Sequence, residues 1–371
     1  MKTRLAPTPN PARARARAQS GMAIIIVMVC IFILGLLAGG FASSMKVETK
    51  LALNANNETE MEWMGRSGVE LARYVLGQQM KLGGSQYDAL NQKWAGGPGG
   101  TNDVLANISL TDVTLGHGHF SIKITDNERK FNINTVQNNE VLMGQALRLL
   151  GVDGATVPMI IGSIQDWIDR DDNTHPNGAE SDYYQSLSPP YFAKNGPIDD
   201  ITELLFIKGV TPEVFWGPNA PDHPPSIFQG PASALSPGGL LPTTAVVSAG
   251  LADIFTSVST GVVNVNTASQ SVLQMIPGVT ESIAADIIRL RAGPDGVDGT
   301  EDDMPLQSVG QLVNAGLSNQ GAQAVGGFCA VRSATFEVRV DVDVGLSHRR
   351  YFALLRRNSP NDVQLLTFHW E

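Results

Sequence analysis

The hydrophobic pattern of the chain begins with one long apolar stretch near the N-terminus. No Asp, Glu, Lys or Arg occurs between Ser20 and Ser44. About twenty apolar residues cross the hydrocarbon core of a bilayer, and residues 22–42 meet that length. The preceding residues include Lys2, Arg4 and further arginines but no acid, and basic flanks of this kind stay in the cytoplasm. We therefore predict a single-pass transmembrane segment at 22–42, with the rest of the chain on the opposite side of the membrane.

After the membrane segment the pattern stays helical. Apolar residues separated by polar ones recur at helical spacing at Met61, Met64, Leu71, Val75 and Met80. This pattern predicts one long helix that ends near Leu82 and is weakened near Gly65 and Gly68.

A two-residue alternation of apolar and polar positions then predicts β-strands in two separate groups. The first group covers residues 104–115 and 120–125, and the second covers 336–344, 349–356 and 363–369. A long N-terminal helix with a small antiparallel sheet is the pilin-like fold, which belongs to the α+β class. We assign the helix and first strands to 43–130 and the last strands to 331–371, so residues 131–330 form a large inserted domain.

The inserted region repeats its own pattern, which predicts a duplicated α-helical domain. Residues 131–135 and 263–267 share an alternation of apolar residues with Asn, and each segment ends in a Thr suited to cap a helix. A Gly-Val pair, an Ile-Ile pair and an acidic loop follow in the same order in both segments. We place the copies at about 131–216 and 262–330, joined by a linker rich in Pro and Gly.

Composition narrows the function classes. The chain has 371 residues, enough for two or three domains, and a net charge of −10. Nucleic-acid binders usually carry a basic footprint, so we expect no nucleic acid as a partner. Cys30 lies in the membrane segment and Cys329 near the last strands, so we predict no intramolecular disulfide. The sequence has no catalytic triad spacing, phosphate-binding loop or HExxH zinc motif, and we expect no enzyme.

The first acidic loop, residues 169–180, is a candidate calcium site. When Asp169 is position one of an EF-hand loop, other oxygen-bearing side chains fall on ligand positions. The predicted ligands are Asp169, Asp171, Asn173 and Glu180. Thr174 stands where an EF-hand needs Gly, and Pro176 disrupts the turn, so we expect a differently wrapped oxygen cage for Ca²⁺. A solvated acidic turn is the alternative.

The second acidic loop, residues 295–303, is a second candidate calcium site. Its five acids are Asp295, Asp298, Glu301, Asp302 and Asp303. Acids this close repel one another unless something neutralises them, and the glycines between them allow a tight wrap. Elsewhere, His117 and His119 place two imidazoles on a predicted turn, which are too few ligands to define a transition-metal site.

Residues 275–288 resemble a helix-hairpin-helix motif. In DNA-binding versions the amides of the hairpin hold a phosphate, usually with a second Gly, but Thr280 occupies that position. Phosphate binding also needs basic support, which the nearby Glu281 and Asp286 oppose. We therefore expect a packing hairpin, with DNA binding by a minor pilin of a competence or type IV pilus system as the alternative function.

The N-terminal junction resembles a type IV prepilin leader, because a Gly separates the basic residues from the apolar stretch. The resemblance implies that residues 1–21 are the leader, that a prepilin peptidase cuts after Gly21 and that Met22 is the mature N-terminus. An uncleaved signal anchor is the alternative. Most pilins carry Glu at the fifth mature position, where this chain has Ile26. A subunit without that Glu suits the first position in a filament.

Two segments carry a resemblance to a specific family. They are Asp166-Trp167-Ile168-Asp169-Arg170-Asp171 with the following Gly178-Ala179-Glu180, and residues 263–268 leading into 275–279. They resemble the minor pseudopilin K family of type II secretion systems. That resemblance implies an inserted helical domain, calcium binding and a position at the tip of a periplasmic pseudopilus. It also implies the minor pseudopilins I and J and an inner-membrane assembly platform as partners, with the C-terminal domain in the periplasm.

Overall fold

The computed structural model describes residues 11–82, 86–99, 104–217 and 249–371, with side chains described from residue 23 onward. Residues 1–10 of the predicted leader and most of the predicted linker lie outside this range. The predicted cleavage site at Gly21 and Met22 lies on a described helix, but its side chains are outside the described part. The chain divides into two units, one ending at Trp63 and one beginning at Met64.

Helices form most of the described N-terminal part of the chain and much of the central part. The α-helices are α1 (Pro11–Lys81), α2 (Ile133–Val136), α3 (Glu140–Leu149), α4 (Val157–Ile168), α5 (Ser181–Gln185), α6 (Pro212–Trp216), α7 (Leu251–Ile254), α8 (Gln270–Leu273), α9 (Glu281–Arg291) and α10 (Asn319–Ala324). Short 3₁₀ helices lie at Lys93–Ala95, Asn127–Arg129, Ile201–Phe206, Val309–Ala315 and Val325–Gly327.

Strands occur as one larger sheet and two short pairs. They are β1 (Val113–Leu115), β2 (Gly118–Asp126), β3 (Phe131–Asn132), β4 (Phe255–Thr256), β5 (Val263–Asn264), β6 (Cys329–Ala330), β7 (Thr335–Val344), β8 (Ser347–Ser359) and β9 (Asp362–Trp370). The sheet has the order β1-β2-β7-β8-β9, and β3 pairs with β4 and β5 with β6 in parallel.

Helix α1 extends over 71 residues and ends close to the predicted position. Its apolar part is long enough to cross a membrane. The large apolar side chains there, such as Phe32 and Leu36, are exposed. This N-terminal helix is therefore a candidate membrane anchor.

The predicted weakening of α1 at Gly65 and Gly68 is wrong, because the helix continues through both residues. The glycines instead let the helix approach the sheet. A Cβ at Gly65 would lie 2.6 Å from the ring of Tyr351, and one at Gly68 would lie 2.6 Å from Val340 Cγ1. Both positions therefore have no room for a side chain unless the sheet moves.

The larger sheet is antiparallel and has one buried face. In β2 and β7 alternate residues such as Phe120, Ile122, Val338 and Val340 are buried, as the two-residue period requires. β2 pairs along its whole length with β7, from Gly118↔Val344 to Asp126↔Phe336. The inserted region therefore leaves the sheet at one strand and returns to the adjacent strand.

The predicted C-terminal strands are confirmed as β7, β8 and β9, but the predicted strand at 104–115 is wrong for most of its length. The strand β1 contains only Val113–Leu115. Leu105 and Leu110 are buried without belonging to a strand, and Asp112 has a left-handed backbone with φ of 53°. That conformation breaks an extended chain, so the alternation there records core packing and not strand pairing.

The two predicted copies have matching contacts in the structure. The amide side chain of Asn134 makes hydrogen bonds in both directions with the backbone of Ile198, at 2.9 and 2.8 Å. The side chain of Asn266 makes the same two hydrogen bonds with the backbone of Leu306, each at 2.9 Å. Both Ile198 and Leu306 follow a proline. These contacts support the duplication, which stays a prediction about origin.

The predicted capping by the two threonines is wrong. Asn132 caps α2, because its side chain accepts a hydrogen bond from Asn134 N. Thr135 lies inside that helix and donates to Asn132 O at 2.9 Å. In the second copy Ser269 caps α8, and Thr267 donates instead to the buried Asp126. An Asn that precedes the Thr competes for the same role, since Asn is a strong N-cap residue.

Buried polar side chains join the sheet to the inserted region. Asp126, the last residue of β2, accepts hydrogen bonds through Oδ2 from Thr267 and Ser333 at 2.6 Å each and from Asn264 at 3.1 Å. Burial, with a smaller contribution from the nearby Glu128, raises the pKa of Asp126 to about 7. The end of one strand is thus bonded to residues far along the chain.

Arg357 supplies a positive charge to this buried network. Its Nη2 lies 2.5 Å from Asp88 Oδ2 and donates to Ser333 O at 2.7 Å. Its guanidinium also lies 4.8 Å from the ring centre of Phe336. Asp88 accepts a further hydrogen bond from Ser333 N at 2.8 Å. Because both charged side chains are buried, each one depends on the other for compensation.

Replacing Arg357 with Met should destabilise the fold strongly. The substitution leaves the buried carboxylate of Asp88 without its cation, a change that costs about 3–5 kcal/mol in comparable cases. Arg356→Met is the matched control, because Arg356 is the adjacent residue of β8 and is exposed. Urea unfolding in detergent measures the midpoint of each variant. Equal midpoints for the two variants would contradict the assigned role of Arg357.

Replacing Gly68 with Ala should lower the free energy of unfolding by about 1–3 kcal/mol, because the new methyl group overlaps Val340. Removing the opposing methyl groups with Val340→Ala in the same chain should recover part of that loss, although Val340→Ala alone destabilises. A thermodynamic cycle of the four proteins measures this coupling. Simple additivity of the two substitutions would show that the close approach is not the cause.

Candidate metal centre

The first acidic loop brings two carboxylates and an imidazole together. Asp166 and Asp169 lie on successive turns at the end of α4, and His175 returns over them. One ligand atom from each lies within 4.8 Å of the others. His175 Nδ1 lies 2.6 Å from Asp166 Oδ1 and 3.5 Å from Asp169 Oδ2. Asp166 is fully buried, so its charge is held inside the loop.

Glu180 completes a group of acids that lack enough protein donors. Both of its carboxylate oxygens and Asp166 Oδ2 are buried without a hydrogen-bond partner among the described residues. Burial, and then the charges of Asp166 and Asp169, raises the pKa of Glu180 to about 7. Burial likewise raises the pKa of Asp169. Buried oxygens in this state call for a cation or a proton.

Gly178 packs directly against one of these oxygens. A Cβ at this position would lie 2.0 Å from Asp166 Oδ2, and one at Gly162 would lie 2.8 Å from Pro176 O. Loop and helix therefore approach through glycines, and the loop closes tightly over Asp166 Oδ2. The donor set of carboxylate oxygens suits a hard cation such as Ca²⁺.

The other predicted ligands of the first loop have protein partners. Asp171 Oδ1 accepts hydrogen bonds from the backbone N and the side-chain Nδ2 of Asn173, at 2.9 and 2.6 Å. Asn195 Nδ2 donates to Asp172 Oδ1 at 3.0 Å. The structure thus groups Asp169 and Glu180, while Asp171 and Asn173 bond to each other.

Sequence reasoning missed Asp166 as a member of this group. The available signal was its position three residues before Asp169 on a helix, which places both carboxylates on the same face. Trp167 is buried against Tyr184 with ring centres 5.4 Å apart. This aromatic contact anchors the helix end that carries the two acids.

In the second acidic loop, most of the carboxylates have ion-pair and hydrogen-bond partners within the protein. Asp298 pairs with the buried Arg291, with Nε–Oδ1 at 3.0 Å and Nη2–Oδ2 at 2.8 Å. Asp303 accepts from Gly299 N at 2.8 Å, and Asp302 accepts from Asp295 N at 3.0 Å and from Thr300 Oγ1 at 2.8 Å. The Thr300 hydroxyl and the Asp295 amide lower the pKa of Asp302.

These contacts make the second loop a weaker candidate for calcium than the first. Asp295 also caps its own turn by accepting a hydrogen bond from Val297 N at 2.8 Å, and Glu301 is exposed. Backbone amides and one guanidinium already neutralise much of the charge that a cation would otherwise balance. The calcium site at these five acids therefore stays a prediction.

The predicted helix-hairpin-helix lies between α8 and α9. Ile276 and Val279 on either side of its turn are buried, and Gly278 has a left-handed backbone with φ of 83°. The side chain of Thr280 caps α9, and Arg289 pairs with Asp286 at 2.7 Å. The apolar residues of the hairpin therefore pack into the core of the inserted region.

Comparisons with known proteins agree on one family. The family model for type II secretion system protein K matches residues 129–216, and a model for the helix-hairpin-helix motif matches 258–298. Type II secretion system protein K of Klebsiella pneumoniae is 27% identical over 108 residues, and that of Pectobacterium carotovorum is 31% identical over 111. Each match covers 26% of this chain and 33% or 34% of the relative, so it spans about a third of these proteins.

The fold has a solved counterpart. The structure of a GspK-GspI-GspJ complex from the enterotoxigenic Escherichia coli type 2 secretion system contains a chain that matches with a TM-score of 0.60. The match covers 86% of this chain and 98% of the other, at 17% sequence identity. The family model and the relatives make residues 129–216 similar to type II secretion system protein K, and the chain shares the fold of the matched chain in the GspK-GspI-GspJ complex.

Proposed function

We propose that the chain is a minor pseudopilin of a type II secretion system that forms or initiates the tip of the periplasmic pseudopilus. The observation that carries this proposal is the insertion of a large helical region between β2 and β7, which are adjacent strands of a pilin-like sheet. Pilin subunits stack along a filament through their N-terminal helices. A region of this size would obstruct a subunit stacked above it, whereas at the tip no subunit lies above.

The proposed location and partners follow from the same role. The chain would be a single-pass protein of the bacterial inner membrane with its C-terminal domain in the periplasm. Its partners would be the minor pseudopilins I and J, the prepilin peptidase and the inner-membrane assembly platform. The match to the chain from a GspK-GspI-GspJ complex supports I and J as partners. The role is structural, and we propose no catalytic activity.

The assembly role should be visible in cells that carry the matching secretion system. We expect a tagged chain to co-purify with pseudopilins I and J, and we expect its deletion to reduce export of folded proteins across the outer membrane. A variant that lacks residues 131–330 but keeps the sheet and helix tests whether export depends on the inserted region. Normal export without the whole chain would contradict the proposed function.

Processing of the N-terminus tests the pseudopilin class. The mature protein extracted from membranes should begin at Met22, because the peptidase would cut after Gly21. Intact-mass analysis together with N-terminal sequencing measures this directly. A chain that retains residues 1–21 would instead favour an uncleaved signal anchor.

We propose further that Ca²⁺ binds the first acidic loop and fixes its conformation. Asp166, Asp169 and Glu180 would hold the ion, with Asp171 and Asn173 shaping the loop around it. The support is the buried oxygens of Asp166 and Glu180, which have no protein donor among the described residues. A bound cation would replace the proton or water that these oxygens otherwise need. The second loop, at 295–303, is a secondary calcium candidate.

Substitution of Glu180 with Gln should have opposite effects with and without calcium. The raised pKa means that folding favours the protonated carboxyl, so this group's contribution to stability is present below about pH 4.5 and is lost as the pH rises through about 7. Metal-free Glu180→Gln should therefore melt at a higher temperature than the parent at pH 8, and the difference should shrink at pH 5. Calcium should raise the melting temperature of the parent and have less effect on the variant.

Glu337→Gln is the matched control for this experiment, because Glu337 is an exposed acid on β7. It should respond to calcium as the parent does. Parent protein that melts at the same temperature with calcium and with a chelator would contradict the calcium proposal.

DNA binding by the helix-hairpin-helix is the alternative function, and the family-model match at 258–298 is the observation in its favour. The Arg289–Asp286 pair opposes it, because the arginine is already bound to a carboxylate. A gel shift at low salt separates the two functions. Retention of DNA regardless of its sequence would favour the competence or type IV pilus alternative.

A further inference from the structure

Three strands of the larger sheet place two histidines on either side of one aspartate. In the strand register, His119 of β2 lies opposite Asp343 of β7, and Asp343 lies opposite His348 of β8. The three side chains therefore project from the same face at the same level of the sheet. All three are about half exposed. This alignment joins residues that are far apart in the sequence.

The imidazoles approach the two oxygens of the one carboxylate. His348 Nδ1 lies 2.9 Å from Asp343 Oδ1, and His119 Nε2 lies 3.7 Å from Asp343 Oδ2. The sequence suggested a pairing of His119 with His117. The sheet instead gives His119 a partner imidazole from the next but one strand, with a carboxylate between them.

The neighbouring acid on the same strand and face has a different environment. Asp341 lies between two guanidinium groups, with Arg339 Nε and Arg350 Nε each 2.9 Å from its oxygens. Guanidinium groups stay charged at all relevant pH values, so Asp341 is compensated permanently. Asp343 is instead contacted by the two imidazoles.

We propose that His119, Asp343 and His348 form a binding site for a divalent transition-metal ion such as Zn²⁺. Two imidazole nitrogens and a carboxylate oxygen form a ligand set that such ions prefer, whereas Ca²⁺ takes oxygen ligands. Binding would require the exposed side chains to rotate so that the three ligand atoms meet at a common point, and solvent would supply the remaining ligand. A metal there would cross-link β2, β7 and β8 near their turns.

The supporting scaffold suits a defined site. The ligands lie on paired strands, and strands hold side chains more rigidly than loops do. The site is separate from the acidic loops of the inserted region, and the proposal does not depend on the proposed secretion function. Zinc should also raise the melting temperature, because an ion that binds only the folded chain stabilises it.

Cobalt(II) and zinc are suitable probes for the full-length chain in detergent. Calcium is added in excess so that it occupies the oxygen-rich sites. The visible absorption bands of bound Co²⁺ then report coordination by imidazole and carboxylate. We expect His119→Ala and His348→Ala each to weaken Co²⁺ binding by about ten-fold or more, as loss of groups that support or ligate a metal commonly does. Competition with zinc should remove the cobalt bands of the parent.

Matched variants distinguish this site from others in the chain. Asp343→Asn should weaken binding, whereas Asp341→Asn should not. His369→Ala removes an exposed histidine of β9, so it should bind Co²⁺ as the parent does. Melting curves without metal check that each variant is folded. Parent-like binding by His119→Ala and His348→Ala, or an equal loss of binding in His369→Ala, would overturn the proposal.

Discussion

The buried network around Asp126, Asp88 and Arg357 is the interaction on which the arrangement of the chain depends. Asp126 ends β2, Arg357 lies on β8, and Ser333 connects both to the segment that returns from the inserted region. Charged groups are costly to bury unless they are paired and hydrogen-bonded. The pairing therefore forces the residues that leave the sheet and the residues that re-enter it to meet at one place. Backbone pairing sets the register of β2 and β7, and these side-chain bonds tie the ends of the insertion to the sheet.

The same rule separates the two acidic loops. In the second loop Arg291 and several backbone amides neutralise the carboxylates, so the loop is stable with its own donors. In the first loop helix α4 buries Asp166, and the chain returns Glu180 to its side, but the described residues offer no donors to three of the oxygens. Two segments with a similar excess of acids thus have different requirements for a cation. For predicting a cation site, the number of acids in a loop is less informative than the number of acids that lack hydrogen-bond donors.

The inserted region also shows why a pilin-like sheet can accept so large an addition. The strands on either side of it remain adjacent and in register along their whole length, so the sheet loses no pairing. The glycines at positions 65 and 68 bring the end of helix α1 close to that sheet. The chain can therefore keep a pilin-like helix and sheet, while the insertion changes the surface that it presents to its surroundings.

The sequence by itself determined the features that depend on local periodicity. An apolar stretch of membrane length, a helix ending near Lys81 and the alternating strands β7, β8 and β9 follow from residue spacing alone. The repeated Asn motif and the acidic loops were also visible, since they are contiguous. Tertiary structure decided what depends on distant partners. It made Leu105 and Leu110 core residues outside any strand, turned Thr267 from a cap into a partner of Asp126 and added Asp166 to the first loop. It also aligned His119 with His348 through strand register, because only pairing across the sheet brings together residues that the chain itself holds apart.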